Sequence, residues 1–318
     1  MSLVSTVQTA EGPTPAPASM TPEMKKAVRR TGWVRRAPLM PALIFAILVT
    51  QLPFLLTIFY SLQSWNLVRP GSSEFVGLDN YINVFADSTF RGAALRTILI
   101  TGGCVLIAML FGVLLAILLD RPFRGRGVVR TLLITPFLVM PVAGALLWKT
   151  TIFDPLFGLL NFVLSPFGVD SVAWVSQYPM AAVITALVWQ WTPFMMLLVL
   201  AGLQSQGKDV LEASATDGAN RWQTFRWVTL PHLRRYIELG LLLGSIYVVN
   251  TFDTIYMMTQ GGPGTSTTNL PFYLYQRAFL GFDVGQAAAL GVVTVIGTII
   301  VATVAMRLIF RSFSREDS

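Results

Sequence analysis

Six apolar stretches, each long enough to cross a bilayer, constrain this chain more than any other feature. They run approximately Pro38–Leu62, Ala93–Leu119, Val128–Trp148, Pro179–Leu203, Tyr236–Met258 and Gly285–Phe310. A hydrocarbon core of about 30 Å takes roughly 20 residues of helix, because backbone polar groups there must be satisfied within the segment. The pattern predicts an all-α polytopic membrane protein with six transmembrane helices. Composition agrees: of 318 residues, 54% are apolar and only 12% charged, about half the charge of a soluble domain. The net charge of +7 would by itself suggest nucleic acid. A mean hydropathy of +0.63 instead assigns the basic residues to membrane flanks, so no nucleic-acid partner is expected.

The basic residues also orient the chain. One side holds Lys25, Lys26, Arg29, Arg30, Arg35 and Arg36, then Arg121, Arg124, Arg126 and Arg130, then Lys208, Arg221, Arg226, Arg234 and Arg235, and finally Arg307, Arg311 and Arg315. The other side holds only Arg69, Arg91, Arg96, Lys149 and Arg277. The positive-inside rule puts both termini in the cytoplasm. Residues 1–37 read as a basic, solvated tail, 38–310 as the six-helix domain and 311–318 as a second cytoplasmic tail. The first apolar run is too long for a signal-peptide core and lacks a small-residue cleavage pattern, so it stays as a span. An uncleaved signal anchor would give the same topology.

One Cys and one His exclude a disulfide framework and any metal site built from several such ligands. They also exclude the usual thiol–imidazole pairs unless His232 takes part, so neither a catalytic residue nor a metal is expected. Gly202-Leu-Gln-Ser-Gln-Gly207-Lys208-Asp209 nearly matches a phosphate-binding loop. Asp209 stands where a hydroxyl should bind magnesium, and an apolar span precedes it instead of a strand. The chain is therefore read as having no nucleotide site of its own.

The most informative polar segment is 207–235, between the fourth and fifth stretches. Asp209 is placed to cap a short helix through Ala215, Gly218 to supply a turn, and Asn220 to cap a second helix carrying Trp222 and Phe225, with Pro231 beyond it. The result is a two-helix protrusion tipped by Ala213, Ser214, Ala215, Gly218 and Ala219, small enough to let another protein approach the backbone. Trp222 and Phe225 are placed to anchor it to the membrane domain. Spacing alone also allows an amphipathic hairpin lying on lipid headgroups.

Glu212-Ala213-Ser214, Asp217-Gly218-Ala219, Phe225 and Leu230-Pro231 together resemble the EAA loop of bacterial ABC-importer permeases. Ser214 replaces the usual second Ala, and Arg235 stands where many members have Pro. Gly77-Leu78-Asp79-Asn80-Tyr81 and Gly261-Gly262-Pro263-Gly264 with Ser266-Thr267 resemble outer segments of the sugar-type permeases. Four further stretches are most similar to permeases for sugar alcohols such as mannitol and sorbitol: Leu119–Phe123, Val139-Met140-Pro141 to Trp148-Lys149, Trp189-Gln190-Trp191 and Phe282–Gly285. The resemblance implies a type I importer permease fold in a bacterial inner membrane, and a transporter subunit rather than an enzyme. It implies a second permease subunit, two cytoplasmic ATP-binding subunits carrying ATP and Mg, and an extracytoplasmic solute-binding protein, with membrane lipid around the helices. Glu212, Ala213, Ser214, Asp217, Gly218, Ala219, Arg221 and Trp222 would then meet the ATPase subunit.

Polar groups at membrane depth usually face a bundle interior or a water-filled path. The fifth stretch places Tyr247, Asn250, Asp253 or Thr254, and Met257 on one stripe, a face expected to look inward. The resemblance to maltodextrin permeases adds substrate contacts at Asn250, Trp191 and Phe194, while Gln190 and Asp253 are added on chemistry. Amide and carboxylate groups suit hydroxyls, and aromatic faces suit the C–H faces of a sugar or polyol. Packing between helices is the competing role for all of them. Gly240 and Gly244 fit a small-xxx-small spacing that is read as packing. The alternative function, an ion-gradient-driven secondary transporter, would need internal repeats and paired intramembrane ionisable residues, and neither is apparent.

Overall fold

The computed structural model describes residues 37–69, 71, 73–168 and 171–313, with side chains to residue 300 and at 303. The basic tail, and Arg315 at the other end, lie outside the described residues. In chain order the helices are α1 (Met40–Ser61), α2 (Asp79–Ala86), α3 (Ser88–Asp120), α4 (Arg126–Leu138), α5 (Pro141–Leu147), α6 (Leu159–Leu164), α7 (Trp174–Gln177) and α8 (Pro179–Gln204). They continue as α9 (Lys208–Thr216), α10 (Arg221–Thr224), α11 (Leu230–Val249), α12 (Asp253–Met258), α13 (Leu270–Tyr275) and α14 (Val284–Phe313). All six apolar stretches are helical. Helices α1, α3 and α8 are each long and apolar enough to cross a membrane.

The third and fifth stretches differ from simple spans for identifiable reasons. The third is broken at Val139–Met140, where Pro141 opens α5 and the axis turns by 101°; proline removes a donor and restricts the residue before it. The fifth is interrupted between Val249 and Asp253, and α11, which holds its first half, also carries Arg234, Arg235 and Glu238. The sixth is one continuous helix, Val284–Phe313.

The chain forms two units, Met1–Leu56 and Thr57–Ser318. In the first, the opening part of α1 exposes Leu43, Ile44, Phe45, Leu48 and Leu52. A helix apolar on all sides is stable in hydrocarbon. The second unit has its core where α3, α8 and α11 meet, around Ile100, Val105, Met109, Val183, Met195, Val199 and Leu233. Small residues set that contact. A Cβ at Gly112 would lie 2.6 Å from the Met195 Cβ, and one at Gly240 2.5 Å from the Met109 Cε. Gly244 likewise faces Met195 and Val105. The Gly240/Gly244 pair is thus packed inside this chain, as small residues in membrane helices commonly are.

Two motifs far apart in sequence meet at the far end of α1. The buried Asn80 amide donates to the carbonyls of Ser61 and Gln63, both at 2.9 Å, and Tyr81 bonds Ser61 at 2.6 Å. From the other motif, the Gly285 N–H donates to Trp65 and the Phe282 carbonyl accepts from Leu67. Asp283 caps the first turn of α14 through the Gln286 N–H at 3.0 Å.

Candidate functional site

The segment 207–235 folds as a closed hairpin. Helix α9 ends in a paired reverse turn: the Ala219 N–H reaches the Ser214 carbonyl and the Gly218 N–H reaches that of Ala215, both at 3.1 Å. This is the Schellman arrangement, which needs a left-handed residue, and Gly218 supplies it at φ +81°. Asn220 then caps α10 in a reciprocal box: its Oδ1 accepts from the Gln223 N–H at 2.9 Å, and Gln223 Oε1 accepts from the Asn220 N–H at 2.8 Å. A wide turn over Phe225–Thr229 carries α10 into α11, so Pro231 lies inside the second helical arm instead of separating it from the span.

The exposed candidates on this hairpin are Glu212, Ala213, Asp217, Gly218, Arg221 and Trp222, with Ala219 half-buried. Three sequence expectations change. Asp209 does not cap α9; Gly207 is the capping residue and Asp209 lies in the first turn, where its charge suits the helix dipole. Ser214 is 8% exposed and turns inward, donating to the Leu211 carbonyl at 2.8 Å and meeting Thr224 Oγ1 at 3.3 Å, so its hydroxyl ties the two arms together. Trp222 is 67% exposed and meets the Phe225 ring, so most of its surface faces away from the rest of the chain instead of packing on the bundle. In the near-match to a phosphate loop, Gly202 lies within α8, so a helix and not a strand leads into Gly207.

The second candidate region is an aromatic wall across α4, α8 and α11. Trp191 stacks on Tyr247 with ring centres 5.6 Å apart, and Phe194 stacks on Phe137 at the same separation. Trp191 also meets Phe194 edge-on at 5.9 Å and Phe137 at 5.8 Å. Tyr247 is 58% exposed. Sequence reasoning missed Phe137, which shares no local pattern with the others; the packing of α4 on α8 brings it to Trp191 and Phe194. Gln190 is committed to the break between α4 and α5, donating to the Val139 carbonyl at 3.3 Å.

The expected stripe along the fifth stretch does not exist as one helical face, because α11 stops before Asn250. Asn250 is exposed and spends one N–H on the Ile246 carbonyl at 2.8 Å, leaving its Oδ1 and second N–H open. Asp253 is exposed at the first position of α12, whereas Thr254 is 3% exposed. The break is satisfied from elsewhere: Asn269, 1% exposed, donates its amide to the Thr251 carbonyl and caps α13 through the Phe272 N–H. In the last turn of α12, the Met257 carbonyl accepts from Lys149 Nζ at 3.0 Å, giving that cation a structural partner. A cavity of about 490 Å³ opens beside it, lined in part by Thr150, Phe153, Asp154, Ser176 and Thr259, and includes none of the expected substrate residues.

The family of binding-protein-dependent transport system inner membrane components matches residues 108–315. The chain is 37% identical over 294 residues to the probable ABC transporter permease protein y4oQ of Sinorhizobium fredii, covering 91% of this chain and 95% of that protein. It is 32% identical to the trehalose/maltose transport system permease protein MalF of Thermococcus litoralis, covering 87% of this chain and 92% of the relative. Among solved structures, the fold is similar to a chain of the bacterial alginate ABC transporter in complex with an alginate pentasaccharide-bound periplasmic protein. That match has a TM-score of 0.75 at 22% identity and covers 89% of this chain and 96% of the other.

Proposed function

The chain belongs to the family of binding-protein-dependent transport system inner membrane components, a transporter subunit and not an enzyme, and on that premise we propose that it is one permease half of an ATP-dependent importer for a sugar or sugar alcohol. Its fold is the type I importer permease fold. In this reading both termini are cytoplasmic, and a second permease subunit completes the path. Two ATPase subunits carry ATP and Mg, and a solute-binding protein delivers ligand from outside.

The observation that carries the reading is the hairpin: its own hydrogen bonds consume its backbone, and its exposed small and charged residues are free for a partner. ATP binding draws the hairpins together and shifts the helices between inward- and outward-facing states. Such coupling requires ATP to favour one state through differential contacts. The aromatic wall offers ring faces to C–H groups, and Asn250 offers an acceptor and a donor to hydroxyls. Relatives named for trehalose and maltose support a carbohydrate ligand; the polyol assignment rests on the sequence motifs.

The space beside Gly218 is open, so a bulky residue there costs little beyond backbone strain. Gly218→Trp should therefore insert normally, release the ATPase subunit and abolish uptake; normal uptake would refute the docking role. Asn250→Ala should weaken ligand-stimulated ATP hydrolysis with the complex intact. No effect on either hydrolysis or uptake would reduce Asn250 to packing. A thermal-shift screen of sugars and polyols on the cognate binding protein names the ligand.

A further inference from the structure

Where the hairpin returns to the bundle, the end of α8 and the start of α11 are laced by a polar network that the reading above does not use. The helices touch at Gly202, where a Cβ would come within 2.6 Å of the Tyr236 ring and 2.9 Å of the Leu233 side chain. Leu233 is fully buried. The Gly202 carbonyl is among the last four of α8, which lack ordinary helical partners. It accepts from the Ser205 backbone N–H at 3.2 Å and the Ser205 hydroxyl at 2.9 Å, and lies 3.1 Å from His232 Nε2. Ser205 Oγ is 2.7 Å from the Tyr236 hydroxyl and 3.1 Å from His232 Nε2, and Arg235 donates to the Tyr236 oxygen at 3.0 Å. One assignment spends every donor once: Arg235 to Tyr236, Tyr236 to Ser205, and Ser205 to Gly202, with His232 as its Nε2–H tautomer donating to the same carbonyl.

The hairpin beyond this point is closed on itself. A rigid body on a loose base swings without moving what it is attached to; on a fixed base it passes its displacement on. We propose that Ser205, His232 and Tyr236 form a clamp that fixes the base of the hairpin, so that motion imposed on it by the ATPase subunit moves α8 and α11 with it. They are positioning residues, acting through the helices that carry Trp191, Phe194 and Tyr247. The inference rests on the docking role proposed above.

The test is the spread of distances between nitroxide labels at Lys208→Cys and Leu239→Cys in the assembled complex; Cys104 is fully buried and does not compete for label. With the clamp intact the distribution is narrow, and equally so without nucleotide and after ATP–vanadate trapping. Tyr236→Phe keeps the ring and removes the hydroxyl, and Ser205→Ala breaks the relay at an exposed site. Both should broaden the distribution without nucleotide and shift it on trapping, with the ATPase subunit still bound and hydrolysing. His232→Ala should behave alike, while His232→Gln, which keeps a donor, should remain narrow. Unchanged narrow distributions in Tyr236→Phe and Ser205→Ala overturn the clamp, as does dissociation of the ATPase subunit in those variants. Normal uptake by Gly218→Trp would defeat the docking role alone, because the nucleotide-free distributions test the clamp independently of it.

Discussion

The 207–235 hairpin and the aromatic wall are both built at interruptions of apolar helices, yet they are held in opposite ways. The bonds that close the hairpin's tip join near neighbours: Ser214 to Ala219, Asn220 to Gln223, Ser214 to Thr224. The wall and the helix breaks beside it depend on partners far along the chain. Val139 answers to Gln190, Thr251 to Asn269, and the Leu270 N–H to Thr97. The hairpin can thus move as a unit without losing its shape, whereas the wall keeps its shape only while the bundle keeps its own. A transporter that is pushed at one end and opens at the other needs that asymmetry.

The comparison breaks if damage to one region spreads to the other. The largest effect is expected from Trp191→Ala, which removes three aromatic contacts at once. Truncating a large packed aromatic costs about 3 kcal/mol, to be read from denaturant unfolding in detergent, with ATPase-subunit binding unchanged. Lost binding would mean that the hairpin depends on the wall. Asn220→Ala should be milder, about 1 kcal/mol for a lost cap. Hydrogen exchange should then speed about fivefold at amides of residues 221–229 and nowhere in α8. Asn220→Ser should restore most of the protection, and faster exchange throughout the bundle would show that the hairpin is not self-contained.

The same asymmetry decides what the sequence made legible. That each of the six apolar stretches is largely helical followed from length alone, though not that the third and fifth are broken, and the hairpin's second arm followed from Asn220, because a cap acts on residues next to it. The bend before α5 is marked by Pro141. The stop at Val249 is not marked: Asn250-Thr251-Phe252 contains neither Pro nor Gly, and the group that satisfies Thr251 arrives from Asn269. A stripe drawn from Tyr247 through Asn250 and Asp253 therefore assumed a helix that tertiary contacts override. Ser214 was legible as small but not as inward-facing, since its partner Thr224 lies on the other arm. Phe137 and the meeting of the Asn80 and Gly285 segments are likewise products of topology.

The smallest expected effect sharpens the contrast at its outer edge. Helix α13, whose capping residue holds the Thr251 carbonyl, is itself tied to the start of α3: Arg277 donates to Asp87 at 2.6 Å, and the Tyr273 hydroxyl donates to the same carboxylate. Partial burial would raise the Asp87 pKa, but the hydrogen bonds from Tyr273, Thr89 and Arg277 prevail and hold it down at about 2, from an ordinary 3.8. A carboxyl depressed on folding stabilises the native state above its unfolded pKa, and that contribution is lost as pH falls through the folded one. The tie should be whole from neutral pH down to about pH 5 and lost between about pH 4 and pH 2. Asp87→Asn should unfold at a lower temperature than the wild type at pH 7, and the gap should close as both are acidified. Exchange at residues 269–277 should rise in the variant, while the hairpin amides at 214–224 stay as protected as in the wild type. Equal loosening of both segments would mean that the hairpin, too, is held from outside itself.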